Sequence, residues 1–270
     1  MIPRHKHGIL KNTNGMRGDW MTQKTHIHNH LKTLRMPTLR ENLDQLLMAA
    51  EEEKISYQTF LYRLLTTEVE AKTEKQRQSR IKQSRLNVDQ TIDQLDYTFQ
   101  TAISRRTIQQ ILAFEWLEQA FNLLFLGPPG VGKTFLSNAI GMAAVNAGYR
   151  VIFITMDELM QTLKTQEVIK RSEKLLKKIR SADLVIIDEL GYLPVSKIEA
   201  NLFFQLISDF YENRSIIVTS NKGLSKWAEV LGDPVITTAI LDRLMHHSEI
   251  FNLSGKSYRL ENRKKIFSES

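Results

Sequence analysis

The 270-residue chain contains no cysteine, which excludes disulfide bonds, zinc sites built on thiolates and a cysteine nucleophile. It also lacks any apolar run approaching the roughly 18–20 residues that cross a bilayer. No apolar segment followed by a small-residue cleavage site marks a secretory signal near the N-terminus. Together these absences predict a cytoplasmic protein that does not use a membrane as a partner.

The net charge of +7 is concentrated in the N-terminal third. Residues 1–90 carry 16 Lys and Arg against 10 Asp and Glu, whereas residues 91–270 carry 21 against 20. A basic run near residue 80 contains no aromatic side chain, which favours contact with the phosphates of duplex DNA over base stacking. A solvated helix face is the alternative. The predicted DNA-contacting cations of this run are Lys72, Lys75, Arg77, Arg80, Lys82 and Arg85.

Composition and periodicity divide the chain into three parts. Residues 1–20 are predicted to be a disordered extension, and little structure is expected before Pro37. His26, His28 and His30 lack an acidic partner in this tract, so a solvated tail is favoured over a metal site. Residues 21–90 are predicted to be a small basic helical domain that binds DNA or a partner, with Ser56 as the N-cap of its second helix.

Residues 91–270 have a different pattern, in which short and nearly continuous apolar strands alternate with helices. Strands of this kind occur in parallel sheets whose two faces are both covered by helices. The sequence therefore predicts an α/β domain with a central parallel sheet, and one helix between Asp157 and Arg180.

A phosphate-binding motif directly follows the first apolar strand. The segment matches G-x-x-x-x-G-K-[ST] at every position and lies between a strand and a helix, where this motif belongs. Its glycines let backbone N–H groups surround the phosphates of ATP, the lysine reaches the β- and γ-phosphates, and the threonine holds Mg²⁺. The motif residues are Gly127, Pro128, Pro129, Gly130, Val131, Gly132, Lys133 and Thr134.

Two acids end a later apolar strand and predict hydrolysis rather than binding alone. Asp188 is expected to orient Mg²⁺ through a water molecule, and Glu189 is expected to act as the general base that activates the attacking water. Two buried neighbouring carboxylates without such a role would be costly. Asn221 follows the next strand and is a candidate γ-phosphate contact, with an ordinary loop residue as the alternative. Arg243, on a later helix, is either a surface charge or a group that reaches a neighbouring subunit's nucleotide.

These residues together resemble the Walker A, Walker B, sensor-1 and arginine-finger motifs of AAA+ ATPases. More narrowly, residues 21–260 resemble the IstB family of transposition helper ATPases and, less closely, DnaC-type helicase loaders. The segments that carry the narrower resemblance are Leu34–Pro37, Ser56–Leu61, Phe114–Leu117, Asp188–Tyr192, Ala239–Leu244 and Gly255–Arg259.

The resemblance implies an AAA+ P-loop fold with a reduced lid, Asn221 as the sensor, Arg243 as the finger acting in trans and Arg259 as a sensor-2-like contact. It also implies an insertion-sequence protein that self-associates on duplex DNA when ATP is bound and acts with a partner transposase. A helicase loader is the alternative function. A second group of cations precedes the Walker B strand and is also predicted to contact DNA, namely Lys170, Arg171, Lys174, Lys177 and Lys178.

Overall fold

The computed structural model describes residues 13–192 and 194–261, with the backbone alone for residues 13–21, 259 and 260. The chain divides into two compact units, the first ending at Gln76 and the second beginning at Arg77. The sequence predicts this boundary after residue 90. The boundary lies earlier because residues 77–90 pack within the second unit, where Leu86 is part of the hydrophobic core.

Three helices form the first unit. They are α1 (Thr13–Thr33), α2 (Pro37–Glu53) and α3 (Tyr57–Ser84), and the unit boundary falls inside α3. Ser56 Oγ accepts the Thr59 N–H at 3.1 Å, which confirms the predicted N-cap of α3. The buried carboxylate of Glu68 accepts the Leu39 N–H at 2.9 Å, so α3 satisfies a free donor in the first turn of α2.

Helix α1 lies where the sequence predicts little structure. The prediction failed because the segment is rich in His and Asn, which are weak helix formers, and has no clear apolar stripe. Residues 1–12 of the predicted disordered extension lie outside the described residues.

The second unit alternates strands and helices in the predicted manner. Its strands are β1 (Asn122–Leu126), β2 (Val151–Thr155), β3 (Leu184–Leu190), β4 (Ser215–Ser220) and β5 (Ser248–Asn252). Its helices are α4 (Arg105–Leu112), α5 (Glu115–Glu118), α6 (Lys133–Ala147), α7 (Met156–Thr165), α8 (Lys170–Ser181), α9 (Lys197–Phe210), α10 (Trp227–Leu231), α11 (Pro234–His246) and α12 (Tyr258–Glu261).

The five strands form one parallel sheet in the order β2-β3-β4-β1-β5. Side chains alternate between its two faces, as the pleat requires. Leu124 and Leu126 pack in one core with α7, α8, α9 and α11, whereas Leu123 and Phe125 pack in the other with α4 and α6. The predicted parallel sheet sandwiched by helices is therefore confirmed.

Two further features refine the prediction. The helix expected between Asp157 and Arg180 is two helices, α7 and α8, whose junction is closed by a 2.7 Å hydrogen bond between the hydroxyls of Thr165 and Ser172. Among the described residues, α12 is the one helix that follows β5. No helix in the described part of the chain is both long enough and apolar enough to cross a membrane.

Helix α6 is held at two places by the segment that joins the units in sequence. Arg77 Nη1 donates to Asn146 Oδ1 at 3.0 Å, and Arg80 Nε donates to the Val145 carbonyl at 3.4 Å. Both cations therefore lie at the C-terminal end of α6, where positive charge is stabilising. Nearer its start, Asn138 exchanges two hydrogen bonds with the backbone of Asn87.

Helix α9 begins with a capping box that includes an ion pair. Ser196 Oγ accepts the Glu199 N–H, and the Glu199 carboxylate accepts the Ser196 N–H at 2.8 Å. Lys164 Nζ lies 2.9 Å from the same carboxylate. The Ser196 hydroxyl and Lys164 hold the pKa of Glu199 at about 2.

Replacing Glu199 by Gln is expected to lower the free energy of unfolding by about 1 kcal/mol at neutral pH, because the ion pair with Lys164 and the negative charge at the start of α9 are lost. A carboxyl group with a depressed folded pKa stabilises the protein above its unfolded pKa and loses this effect as pH falls through the folded value. The difference between wild type and variant should therefore shrink between about pH 4.5 and 2. Chemical denaturation across this range measures it. Glu167→Gln, at an exposed position, is the control, and a difference independent of pH would contradict the prediction.

Candidate nucleotide-binding site

The phosphate-binding loop joins the end of β1 to the start of α6. Gly127, Gly130 and Gly132 all have positive φ, a conformation that side chains disfavour. A Cβ at Gly127 would lie 2.0 Å from the Leu253 carbonyl oxygen, and one at Gly130 would lie 2.1 Å from Ser257 Oγ. Glycine is therefore required at both positions by backbone conformation and by the close approach of the C-terminal segment. The predicted neighbours Pro128 and Pro129 are exposed, and Val131 is buried.

Lys133, the first residue of α6, is held inside this loop. Its Nζ donates to the Gly127 carbonyl at 2.7 Å and to the Pro128 carbonyl at 2.8 Å. The side chain is largely buried, so its charge is presented to the space enclosed by the loop. A lysine in this position can pair with the phosphates that a helix N-terminus attracts.

Asp188, on β3, is hydrogen-bonded to two neighbouring elements of the cleft, α6 and β4. Thr134 Oγ1, in the first turn of α6, lies 3.1 Å from each of its carboxylate oxygens, and Thr219 Oγ1 of β4 donates to the same carboxylate at 2.5 Å. Burial raises the pKa of Asp188, while Thr219, Thr134 and the charge of Lys133 act against that rise. Hydroxyl and carboxylate oxygens are the donors that Mg²⁺ prefers, so this set fits that ion.

A β-bulge directs Glu189 into the same cleft. Consecutive strand residues normally point to opposite faces, but the β3–β4 register shifts between Ile187 and Leu190, and Glu189 has a φ of 65°. Thr219 Oγ1 also accepts the Glu189 N–H at 3.0 Å, which fixes the bulge. As a result Asp188 is buried and Glu189 is exposed on the cleft wall. Bulges of this kind re-aim a side chain at functional sites.

Asn221 completes this side of the cleft. Its Oδ1 is buried without a hydrogen-bond partner, although buried polar atoms are normally paired. Gly191 packs against it, since a Cβ there would lie 3.1 Å from Asn221 Oδ1. An unpaired amide oxygen on the cleft wall is suited to a water molecule or a ligand group.

The cleft has a volume of about 680 Å³ and includes residues that the sequence does not reveal. Phe99 and Tyr258 meet edge to face across it, with ring centroids 5.1 Å apart, and the Tyr258 N–H donates to the Gly130 carbonyl at 3.0 Å. Gln100 Nε2 donates to the Val131 carbonyl at 2.8 Å. No local pattern marks these residues or Thr219, because only the fold brings them together. Arg259 lies in α12, but its side chain is outside the described part of the chain.

Arg243 is not part of this cleft. It lies on α11, where its guanidinium donates to the Ala239 carbonyl at 3.1 Å and stacks over the Phe204 ring at 4.6 Å. It lines a small cavity beside Asn122, the first residue of β1, whereas the phosphate loop follows the last. Arg243 therefore lies at the opposite edge of the sheet from its own phosphate loop.

The predicted DNA-contacting cations fall into three groups. The first group contacts other residues of the protein: Arg77 and Arg80 contact α6, as described above, Lys72 pairs with Glu68 at 3.6 Å, and Lys177 pairs with Glu173 on α8. The second group consists of Lys75 and Lys82, which are exposed on α3. The third group lines an open pocket of about 470 Å³ together with Glu158 and Leu175, and its cations are Arg85, Lys170, Arg171, Lys174 and Lys178.

A five-stranded parallel sheet, a glycine loop on a helix N-terminus and adjacent acids at the carboxyl ends of the strands are shared by P-loop nucleotide-binding proteins of the AAA+ class. The model of the family described as IstB-like ATP binding protein matches residues 29–266, and the chain belongs to this family. The predicted IstB resemblance is thereby confirmed.

Two named relatives support the assignment of the chain to this family. An ATP-binding protein of insertion sequence IS21 from Pseudomonas aeruginosa is 43% identical over 87% of this chain and 89% of its own length. One of insertion sequence IS5376 from Geobacillus stearothermophilus is 41% identical over 89% of this chain and 96% of its own length. The crystal structure of DnaI has a TM-score of 0.52 and 20% identity, covering 61% of this chain and 90% of that one. This structural similarity concerns the fold alone.

Replacing Lys133 by Ala is expected to abolish ATP binding, because the cation inside the phosphate loop is lost. Titration with a fluorescent ATP analogue measures this, and thermal denaturation without nucleotide shows whether the loop still folds. Lys222→Ala, at an exposed lysine just beyond β4, is the matched control. Tight binding by a folded Lys133→Ala variant would contradict the assignment.

Proposed function

We propose that the chain is an ATP-hydrolysing, DNA-binding helper protein of an insertion sequence, which regulates a partner transposase and its choice of target. The main support is that a site suited to hydrolysis occurs in a member of the IstB-like family whose named relatives belong to insertion sequences. Those names favour this function over the helicase loader. We also propose that the protein acts in the cytoplasm.

ATP hydrolysis is proposed because the cleft offers a base separate from the ion-binding oxygens. Thr134 and Asp188 would hold Mg²⁺, which neutralises phosphate charge when it is bound. Glu189 projects into the cleft and is placed to accept the proton of a water molecule that attacks the γ-phosphorus. The unpaired Oδ1 of Asn221 can accept a hydrogen bond from the same water and so orient it.

The rest of the cleft suits a nucleoside. Phe99 and Tyr258 offer apolar ring surface next to the phosphate loop, and Asn87, Gln90 and Asp96 add polar groups to the wall. A cleft of about 680 Å³ lies within the range of sites for small ligands. This combination supports ATP as the ligand.

Self-association is proposed from the position of Arg243. At the opposite sheet edge from its own phosphate loop, Arg243 can contribute to a site only on another copy of the chain. Its guanidinium already stacks over the Phe204 ring, which limits the freedom of the side chain. An arginine supplied in trans stabilises transition-state charge in other nucleoside triphosphatases.

The pocket beside α8 supports binding of DNA through its phosphates. Five cations surround it with a single acid, Glu158, which pairs with Arg85 at 2.8 Å. No aromatic side chain lines it, which favours the backbone of duplex DNA over stacking with unpaired bases. Arg85 and the α8 cations, predicted from the sequence as separate contacts, thus form one surface.

Replacing Glu189 by Gln is expected to slow ATP turnover by about 10²–10⁴-fold while ATP still binds, since only the proton acceptor is lost. The bound nucleotide should then persist, and assembly on DNA should increase. Steady-state phosphate release and gel-filtration with DNA measure the two effects. Glu229→Gln, on α10, is the control. Wild-type turnover in the Glu189 variant would exclude it as the base.

Replacing Lys174 and Lys178 together by Gln is expected to weaken duplex binding and to reduce the slope of log K against log salt by about two units, roughly one per lost phosphate contact. Fluorescence anisotropy at several salt concentrations measures the slope. The control pair Arg106→Gln and Lys226→Gln removes two exposed charges outside the pocket. An unchanged slope would show that these two lysines face solvent and do not contact DNA phosphates.

Tight binding of single-stranded DNA, with no binding of duplex DNA, would instead favour the helicase loader.

A further inference from the structure

A cluster of metal-ligating side chains lies away from the nucleotide cleft, where α9 and α11 both end. One carboxylate oxygen of Glu212 and one ring nitrogen each of His246 and His247 lie within 4.8 Å of one another. Glu212 follows α9 in the turn before β4, His246 is the last residue of α11, and His247 leads into β5. The cluster therefore joins two elements that are far apart in sequence.

Packing and hydrogen bonds already orient the two histidine side chains. The ring of His247 contacts the Phe121 ring at 5.1 Å between centroids, and its carbonyl accepts the Asn122 N–H at 2.8 Å. The Tyr211 hydroxyl lies 3.0 Å from His246 Nδ1, which leaves Nε2 as the available nitrogen of that ring. A ligating histidine characteristically has its second nitrogen hydrogen-bonded in this way.

We propose that Glu212, His246 and His247 bind a divalent transition metal ion, with Zn²⁺ as the best fit. Two imidazoles and one carboxylate form a donor set that zinc uses, with solvent as the fourth ligand. Bonds of about 2.0–2.1 Å at tetrahedral angles place ligand atoms roughly 3.3 Å apart. Side-chain rotation can close the remaining distance, because Glu212 and His246 are exposed. Mg²⁺ prefers oxygen ligands and is a poor competitor.

Metal binding would connect the ends of the two helices that position Arg243. That arginine lies on α11 one turn before His246 and rests on Phe204 of α9. The ion would add a further connection between the ends of α9 and α11, which raises the resistance of the pair to thermal unfolding. Anything that binds only the folded state stabilises it by mass action.

The N-terminal histidines require a control. His26 and His30 lie one turn apart on α1, with ring centroids 6.5 Å apart, and such a pair can bind metal weakly by itself. The experiment therefore uses the full chain in which the five N-terminal histidines are replaced by Gln. These positions are His5, His7, His26, His28 and His30.

Zn²⁺ is titrated calorimetrically into this protein with excess Mg²⁺ and without nucleotide or DNA, and Co²⁺ absorption reports the geometry. We expect one equivalent of Zn²⁺ and tetrahedral Co²⁺ bands. Further replacement of His247 or Glu212 by Gln should weaken binding by more than about tenfold, and Tyr211→Phe by roughly tenfold. Glu249→Gln, an exposed acid of β5 outside the cluster, is the matched control and should bind normally.

Two results would overturn the proposal. One is an absence of binding in the protein without its N-terminal histidines, and the other is unchanged affinity in folded His247→Gln and Glu212→Gln variants. Thermal denaturation without metal establishes that each variant is folded. Because ATP and DNA are absent, the outcome does not depend on the proposed ATPase or DNA-binding function.

Discussion

The buried carboxylate of Asp188 is the constraint around which the nucleotide cleft is organised. A carboxylate at the edge of an apolar sheet is costly unless it is hydrogen-bonded. Two threonine hydroxyls satisfy it, Thr134 from the phosphate-loop helix and Thr219 from β4. Since Thr219 also accepts the Glu189 N–H, the same hydroxyl fixes the bulge that exposes the next acid. One side chain, Thr219, therefore helps to keep Asp188 buried and Glu189 exposed on the cleft wall.

The parts of the fold that could be predicted are those encoded by neighbouring residues. Apolar strands alternating with helices indicate the parallel sheet, and the phosphate loop is contiguous, so both could be read from the sequence. Thr219, Phe99 and Tyr258 could not, because their importance comes from contacts across strands or between segments that are about 160 residues apart. Helix α1 was missed because weak helix formers and a poor apolar stripe hide it.

The basic run illustrates a different limit of sequence interpretation. Arg77, Arg80 and Arg85 look alike in a charge pattern, yet the first two donate to the C-terminal end of α6 and the third borders the pocket of α8. Charge alone does not distinguish a cation that caps a helix from one that faces solvent. The positive charge of this region thus has two uses, one in the internal architecture of the second unit and one in its surface potential.

The two attachments of α6 have a mechanical consequence. The helix begins at Lys133 in the phosphate loop and is held by Asn87 in its second turn and by Arg77 and Arg80 at its far end. The helix therefore cannot shift along its axis without breaking these hydrogen bonds or moving Asn87 and the final turns of α3 with it. The phosphate loop and the final turns of α3 therefore lie at opposite ends of one helix, about 20 Å apart. Helix α6 thus connects the nucleotide cleft to the last turns of α3.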